Sequence, residues 1–319
     1  MTSTAPFAAG TVSLRLYPHN ELDAGGIVRE LCDQAALGLS RGFDGVMTSE
    51  HHGGFAGYLP NPLQMSSFIL EENEVGWVAP CPLILPLRPI AQVAEEVAWL
   101  GSRHPGRVGL GVAAGALPLD FEAMGVRFEE AVPLFKAGLP RIVDLLQGRN
   151  LGVLEEDRAL QRCGGSPISV VSAVASTAAA RRAAECGVGM LTEGMSSVKR
   201  LRSLCDAYDA AGGTGSKVLI RRVWIGDPKD ELIARQKAVY QSYARVGRSV
   251  AEDQTIVTTD PAEMVERIFA GCLKAGADCI NLRVHLPGIT ATEARQQIEV
   301  VAESVIPGFR RLMATRGGM

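Results

Sequence analysis

Aromatic residues are scarce in this chain of 319, at 5%, and charged residues stop at 21% with a net charge of −3. So even a balance excludes the basic field by which proteins bind nucleic acid indiscriminately or settle on acidic membranes. Long hydrophobic runs are missing too. The uncharged stretches 75–87 and 163–180 are respectively broken by Pro80, Pro82 and Pro86 and filled with Ser, Thr and Ala, so neither could span a bilayer. The first basic residue is Arg15 and no apolar segment follows it, which argues against a secretory signal. Cysteine is sparse and odd in number, seven, with no C-x-x-C pair and no Cys/His cluster, so neither a disulfide framework nor a metal site is expected. The cysteines read as reduced thiols of a cytoplasmic protein, five or more of them core filler, and a small molecule is the better expectation for a partner.

What is present is a 47% apolar, aliphatic composition with 35 glycines, enough for a large core. Short apolar runs alternate with helical patterns along the whole chain. Strands are expected at 12–17, 45–48, 75–79, 108–112, 168–172, 188–192, 218–225 and 279–284. Between them run stripes at helical spacing, one through Ile90, Val93, Val97 and Leu100, another through Phe128, Val132, Phe135, Leu139, Ile142 and Leu146. Asp260, Pro261 and Glu263 supply a cap, a first-turn proline and a capping-box acid for the stripe Met264, Ile268 and Cys272. Every strand is followed by a helix, so the strands should be parallel with right-handed crossovers. Eight such units close most naturally into a (β/α)8 TIM barrel, and no linker divides residues 1–319, which read as one domain. The polar stretch 149–165 reads as an inserted, irregular loop.

In such a barrel the active site lies just past the C-terminal strand ends. That filter selects Ser49, Glu50, His51 and His52 after the second strand, Ala79 to Cys81 after the third and Ala113 to Gly115 after the fourth. Later strands contribute Ser172 to Thr177, Thr192 to Met195, Gly226, Asp227, Arg283 and His285. Two of the five histidines stand together beside an acid, a pattern suited to proton exchange near neutral pH. Adjacent positions point to opposite faces, so one of the pair should face the barrel axis. Read from the residues alone, both could equally be loop histidines bonded to backbone.

Gly109 to Ala114 fits G-x-G-x-x-A, a form of the dinucleotide fingerprint, but its glycines fall inside the strand and Pro118 follows soon after. Small residues there read better as clearing space for a flat ligand over the barrel mouth. After the fifth expected strand, at 168–172, Ser176 and Thr177 lead into a helix at about Ala178, where N–H groups and a positive dipole end suit a phosphate or call only for an N-cap. Arg181, Arg182, Lys199, Arg200 and Arg202 read as a solvated face.

Thr48-Ser49-Glu50-His51-His52-Gly53-Gly54-Phe55, followed by Asn61-Pro62, resembles the E-H-H-F and N-P segments of the bacterial luciferase-like flavin monooxygenases. Leu85 to Val97, Pro105 to Val112, Asp120-Phe121, Met124-Gly125, Ala175 to Ala184 and Leu282 to Gly288 are similar to further segments of that family, covering nearly the whole chain. The resemblance implies a barrel that binds flavin at its C-terminal mouth, usually as a homodimer. By motif position His51 would lie beside the reactive edge of the flavin, with Glu50 in the surrounding polar set. Val78 and Ala79 match a strand end where the family carries a cis non-proline peptide, with Pro80 offering an Ala79-Pro80 bond as a cheaper cis candidate. Ala175, Ser176 and Thr177 match the phosphate turn. Ala113 and Ala114 stand where luciferase has a phosphate-binding arginine, and Ala175 replaces an acid, so phosphate would rest on backbone, hydroxyls and a basic residue yet to be placed.

The resemblance implies a two-component monooxygenase: a separate flavin reductase supplies reduced FMN, and O2 oxidises a small organic substrate such as an aldehyde or ketone. Two alternatives stand beside it. One is a deazaflavin-dependent hydride-transfer oxidoreductase, whose charged cofactor tail would employ the arginine cluster; the other is a non-catalytic flavin-binding barrel.

Overall fold

The computed structural model describes residues 4–54, 57–192, 194, 196–228, 230–243 and 255–317. Its strands are β1 (Val12–Arg15), β2 (Gly45–Thr48), β3 (Trp77–Pro80), β4 (Leu83–Ile84), β5 (Gly109–Ala113), β6 (Ser169–Val174), β7 (Gly189–Thr192), β8 (Lys217–Ile225), β9 (Thr255–Thr258) and β10 (Cys279–Arg283). They run parallel in the order β3-β2-β1-β10-β8-β7-β6-β5-β4, with β9 alongside the outer half of β8. Val78 N–H donates to the Arg107 carbonyl at 2.9 Å and pairs in parallel with Val108, which joins the two ends of the sheet. β4 carries on the β3 position, so the closed wall has eight strand positions, each at an expected site. The TIM barrel expected from the alternation is the observed fold.

The helices that matter for the mouth are α1 (Ala24–Arg41), α2 (Pro62–Glu72), α3 (Ile90–Arg103), α4 (Pro118–Ala123), α5 (Ala131–Leu146), α6 (Arg158–Cys163), α7 (Thr177–Glu185) and α8 (Val198–Ala210). Beyond them come α9 (Asp230–Tyr243), α10 (Pro261–Ala275), α11 (Ala291–Ser304) and α12 (Ile306–Gly317). None of the described helices is long and apolar enough to cross a membrane.

Alternation along the strands divides the apolar residues into two cores. Val12, Leu14, Val46, Val78, Leu110 and Val112 face the helices in the larger one. Met47, Trp77, Ala79, Cys81, Val171, Leu191, Val218, Ile220 and Cys279 fill the barrel interior together with Phe7, which comes from the segment before β1.

Four expectations are corrected. Residues 149–165 are not an irregular loop: Asp157 accepts from Leu160 N at 2.8 Å and caps α6, which buries Ala159, Leu160 and Cys163 against α3 and α5. Three apolar residues in six are too few for periodicity to register. Val132 leaves its stripe and is 50% exposed, because a 3-10 turn at Phe128–Glu130 precedes α5 and shifts the helical phase onto Ala131 and Phe135. The strand β9 was not anticipated. Finally, the cis peptide among the described residues is Cys81-Pro82, not a bond within Val78 to Pro80. Those three residues continue the extended ladder with Val46, Met47 and Thr48, and the bend falls one residue later at an X-Pro bond, where cis is ordinary.

Candidate active site at the barrel mouth

The turn after β2 is built around two buried carboxylates. Glu50 is 1% exposed; its Oε2 accepts from Ile84 N at 2.5 Å, and its Oε1 accepts from Arg88 Nη1 and lies 3.0 Å from His52 Nε2. A carboxylate can only accept, so His52 donates through Nε2. Glu50 thereby ties together the turn, β4 and the start of α3. Asp120, in the first turn of α4 and fully buried, accepts from the His52 backbone N at 2.7 Å through Oδ1 and from His51 Nδ1 at 2.7 Å through Oδ2. That contact fixes the tautomer: with Nδ1–H on the acid, exchange of a proton by His51 falls to Nε2.

His51 keeps a side-chain exposure of 20% whereas His52 is almost covered, so the neighbours do point to different surroundings. Tyr58 stands edge-on to the His51 ring at 4.5 Å between centroids. Gly53 and Gly54 adopt φ of +67° and +71°, a left-handed pair that glycine alone takes easily, and they turn the chain away from the histidines.

A second cluster follows from the ends of β1 and β10. Tyr17 stacks on His285 at 5.0 Å, touches Tyr58 at 5.9 Å and lies under the Arg222 guanidinium at 5.7 Å. His19 stands edge-on to His285 at 5.2 Å. Burial, then the neighbouring His19 and Arg222, hold the His285 imidazole well below its ordinary 6.5, so it is neutral at physiological pH.

Across β3 and β5 from the histidines lies the end of β6. Ser176 caps α7 by accepting from Ala179 N at 3.2 Å, and Ser197 caps α8 by accepting from Arg200 N at 3.3 Å. The Arg200 side chain donates to the Ala175 carbonyl at 2.6 Å. Arg200 stays exposed, as expected for it, and from that surface its side chain also supplies a basic group to the Ala175-Ser176-Thr177 turn. Ala79 faces the barrel interior; Val78 belongs to the outer core and offers the mouth only its backbone. Ala113 ends β5, paired with Ile84, and Ala114 packs partly buried against the outer core.

The glycines of β5 do not clear space for a ligand, as their spacing had suggested. A Cβ on Gly109 would meet Phe7 at 2.7 Å and one on Gly111 would meet the Cys81 sulfur at 2.1 Å, so they admit the protein's own side chains. Glu193 and Met195, expected at the rim, lie outside the described residues. Among the described residues no three His, Cys, Asp or Glu side chains gather to hold a metal ion. Sequence reasoning missed Tyr17, His19 and Tyr58 as site residues and quoted Asp120 only within a motif; nothing local marks them.

Parallel closure makes this a TIM-barrel protein, and its C-terminal rim carries the carboxylate-anchored histidines. Residues 12–279 match the family described as luciferase-like monooxygenase, and the chain belongs to that family. Two uncharacterized proteins of Sinorhizobium fredii, y4vJ and y4wF, are 26% identical over 60% of this chain and 22% identical over 43% of it. These matches span only 57% and 41% of those relatives' own lengths.

Among solved structures the chain is similar in fold to the monooxygenase RslO1 of Streptomyces bottropensis, at TM-score 0.78 and 19% identity, covering 94% of this chain and 99% of that one. It is also similar to the oxygenating constituent of 3,6-diketocamphane monooxygenase of Pseudomonas putida in complex with FMN (TM-score 0.73, 19% identity, 94% and 98% covered). A third is an F420-dependent secondary alcohol dehydrogenase (TM-score 0.72, 14% identity, 95% and 99% covered).

Proposed function

We propose that this chain is the oxygenase of a two-component system, a flavin-dependent monooxygenase that takes reduced FMN from a separate reductase and uses O2 to oxidise a small organic substrate such as an aldehyde or ketone. The observation that carries this reading is the His51–Asp120 pair at the rim of a barrel of this family. The residues present fit a flavin phosphate: two capped helix N-termini and Arg200 meet at the Ala175-Ser176-Thr177 turn. When bound, the reduced flavin supplies the two electrons that activate O2.

The chain's own residues do the rest. Ala175, Ser176, Thr177 and Arg200 hold the phosphate, and Ala79, Ala113 and Ala114 keep the wall between that turn and His51 low. His51 gives or takes a proton at Nε2. Asp120 orients the ring, and Glu50, held by Arg88 and His52, keeps the turn in place. One domain spanning residues 1–319 and a homodimer complete the proposal.

The expected outcome for His51→Ala is a loss of product formation of about 100-fold or more with FMN affinity unchanged. Asp120→Asn should lose part of that rate and about 1–3 kcal/mol of stability, since a buried acceptor for two donors is weakened. An unchanged product yield in His51→Ala overturns the assignment. The F420-dependent neighbour keeps a second reading in view, a deazaflavin-dependent hydride transfer. Parallel titrations with FMN and the deazaflavin in both redox states separate the two.

A further inference from the structure

Three arginines form one row across adjacent strands. Leu14 of β1 pairs with Leu282 of β10, which sets Arg15 beside Arg283, and Arg283 pairs directly with Arg222 of β8. The layer beneath them is Ser13, Asn281 and Ile220, set by the pairs Ser13↔Asn281 and Asn281↔Ile220. Ile220 belongs to the barrel's interior core, and Ser13 and Asn281 hydrogen-bond to each other at 3.0 Å. Side chains two residues further along a strand point the same way, so the three arginines crown the interior at the C-terminal mouth. Arg221, one residue out of phase, faces the other side.

Arg15 is 1% exposed. Its Nε donates to Asn281 Oδ1 at 3.3 Å, and its two terminal nitrogens are buried with no acceptor among the described residues. Among the described residues, the charged or titratable groups that act on it are Arg283, Cys81, Tyr17 and Tyr58, with no carboxylate among them. Cys81 does not neutralise it, because burial pushes that thiol up to about 12. A guanidinium taken out of water without a counter-ion is costly, and proteins keep one where an incoming anion will meet it. The planar fork matches two oxygens of a carboxylate.

We propose that Arg15, flanked by Arg283 and Arg222, binds an anionic oxygen group of the substrate, so that the molecule oxidised at this mouth is a small organic acid. Tyr58 touches both Tyr17 and His51, which places the anion site and the proton-exchanging histidine on one contiguous surface. The word substrate rests on the proposed oxygenase activity; the binding of the anion does not.

The test therefore uses the full chain without turnover. In chloride-free buffer it is titrated calorimetrically with acetate and benzoate and with their neutral counterparts acetamide and benzamide. Saturable one-site binding of a carboxylate, at least tenfold tighter than its amide, is the expected result. Arg15→Met should lose that preference while its thermal midpoint stays level or rises, since an unpaired buried charge has been removed; Arg15→Lys should retain part of it. Reduced FMN, titrated anaerobically, should bind Arg15→Met as it binds the parent. Equal binding of carboxylate and amide, or carboxylate affinity unchanged in Arg15→Met, overturns the anion site. A carboxylate displaced by reduced FMN, with FMN affinity falling in Arg15→Met, assigns the site to the flavin and overturns the substrate assignment. Loss of oxygenase activity with carboxylate binding intact would overturn only the activity.

Discussion

His285 shows how one side chain's surroundings set the behaviour of the protein toward acid. It is half-buried between Tyr17 and His19 and faces the Arg222 guanidinium, so its charged form is disfavoured in the fold. In the unfolded chain it titrates near 6.5. Between the two values the unfolded state holds more protons, so stability rises with pH through that window and is lost as pH falls below about 6.5. His285→Gln removes the group from both states and should flatten that part of the stability profile, measured by denaturant unfolding between pH 5 and 7. A slope as steep as the parent's would show that other groups carry it. The same residue was recognisable as a rim position from its place after a strand. Its partners were not, because Tyr17 and His19 reach it from the opposite end of the chain.

Element by element, what could be read locally was read well where burial is periodic. The strands are short β-branched runs, and the cap at Asp260 does accept from Ala262 N at 2.8 Å ahead of α10. Ser176 likewise caps α7, which begins at Thr177, one residue before the start expected at about Ala178. Elements escaped where periodicity is weak or interrupted, as in the one-turn-scale α6 and in β9, whose four residues are paired only along β8. α11 begins with a reciprocal capping box: Thr290 Oγ1 accepts from Glu293 N at 3.2 Å while Glu293 Oε2 accepts from Thr290 N at 2.8 Å. Thr290→Ala should cost about 1 kcal/mol in urea unfolding with activity unchanged. A midpoint equal to the parent's would mean that the packing of α11 on α1 alone holds the helix.

At the scale of the whole molecule, the barrel floor is closed by a residue from outside it. Phe7 adopts φ of +61°, packs its ring 5.1 Å from Trp77 and is 2% exposed, and Cys279 reaches its carbonyl at 3.5 Å. A β-carbon on Gly109 or Gly45 would collide with Phe7 or Trp77, so the two aromatic rings and two glycines form one interlocked layer. Phe7→Ala should cost about 3–5 kcal/mol, read as a fall in the denaturation midpoint, because the cavity opens where eight strands converge and cannot collapse. A loss below about 1 kcal/mol would show that the floor is sealed without it.

Hydrophobic period, turn chemistry and the order of strand and helix were enough to determine the eight-unit parallel barrel and to place Glu50, His51, His52 and Ser176 at its C-terminal rim, since each depends on neighbours a few residues away. Tertiary structure alone decided which groups meet. Asp120 stands 69 residues from His51 and becomes its hydrogen-bond partner only when α4 folds over the end of β2. Arg15, Arg222 and Arg283 become one row only through the register of β1, β10 and β8. Register and closure are properties of the whole sheet, set by how every strand packs at once, and no local pattern of burial carries them.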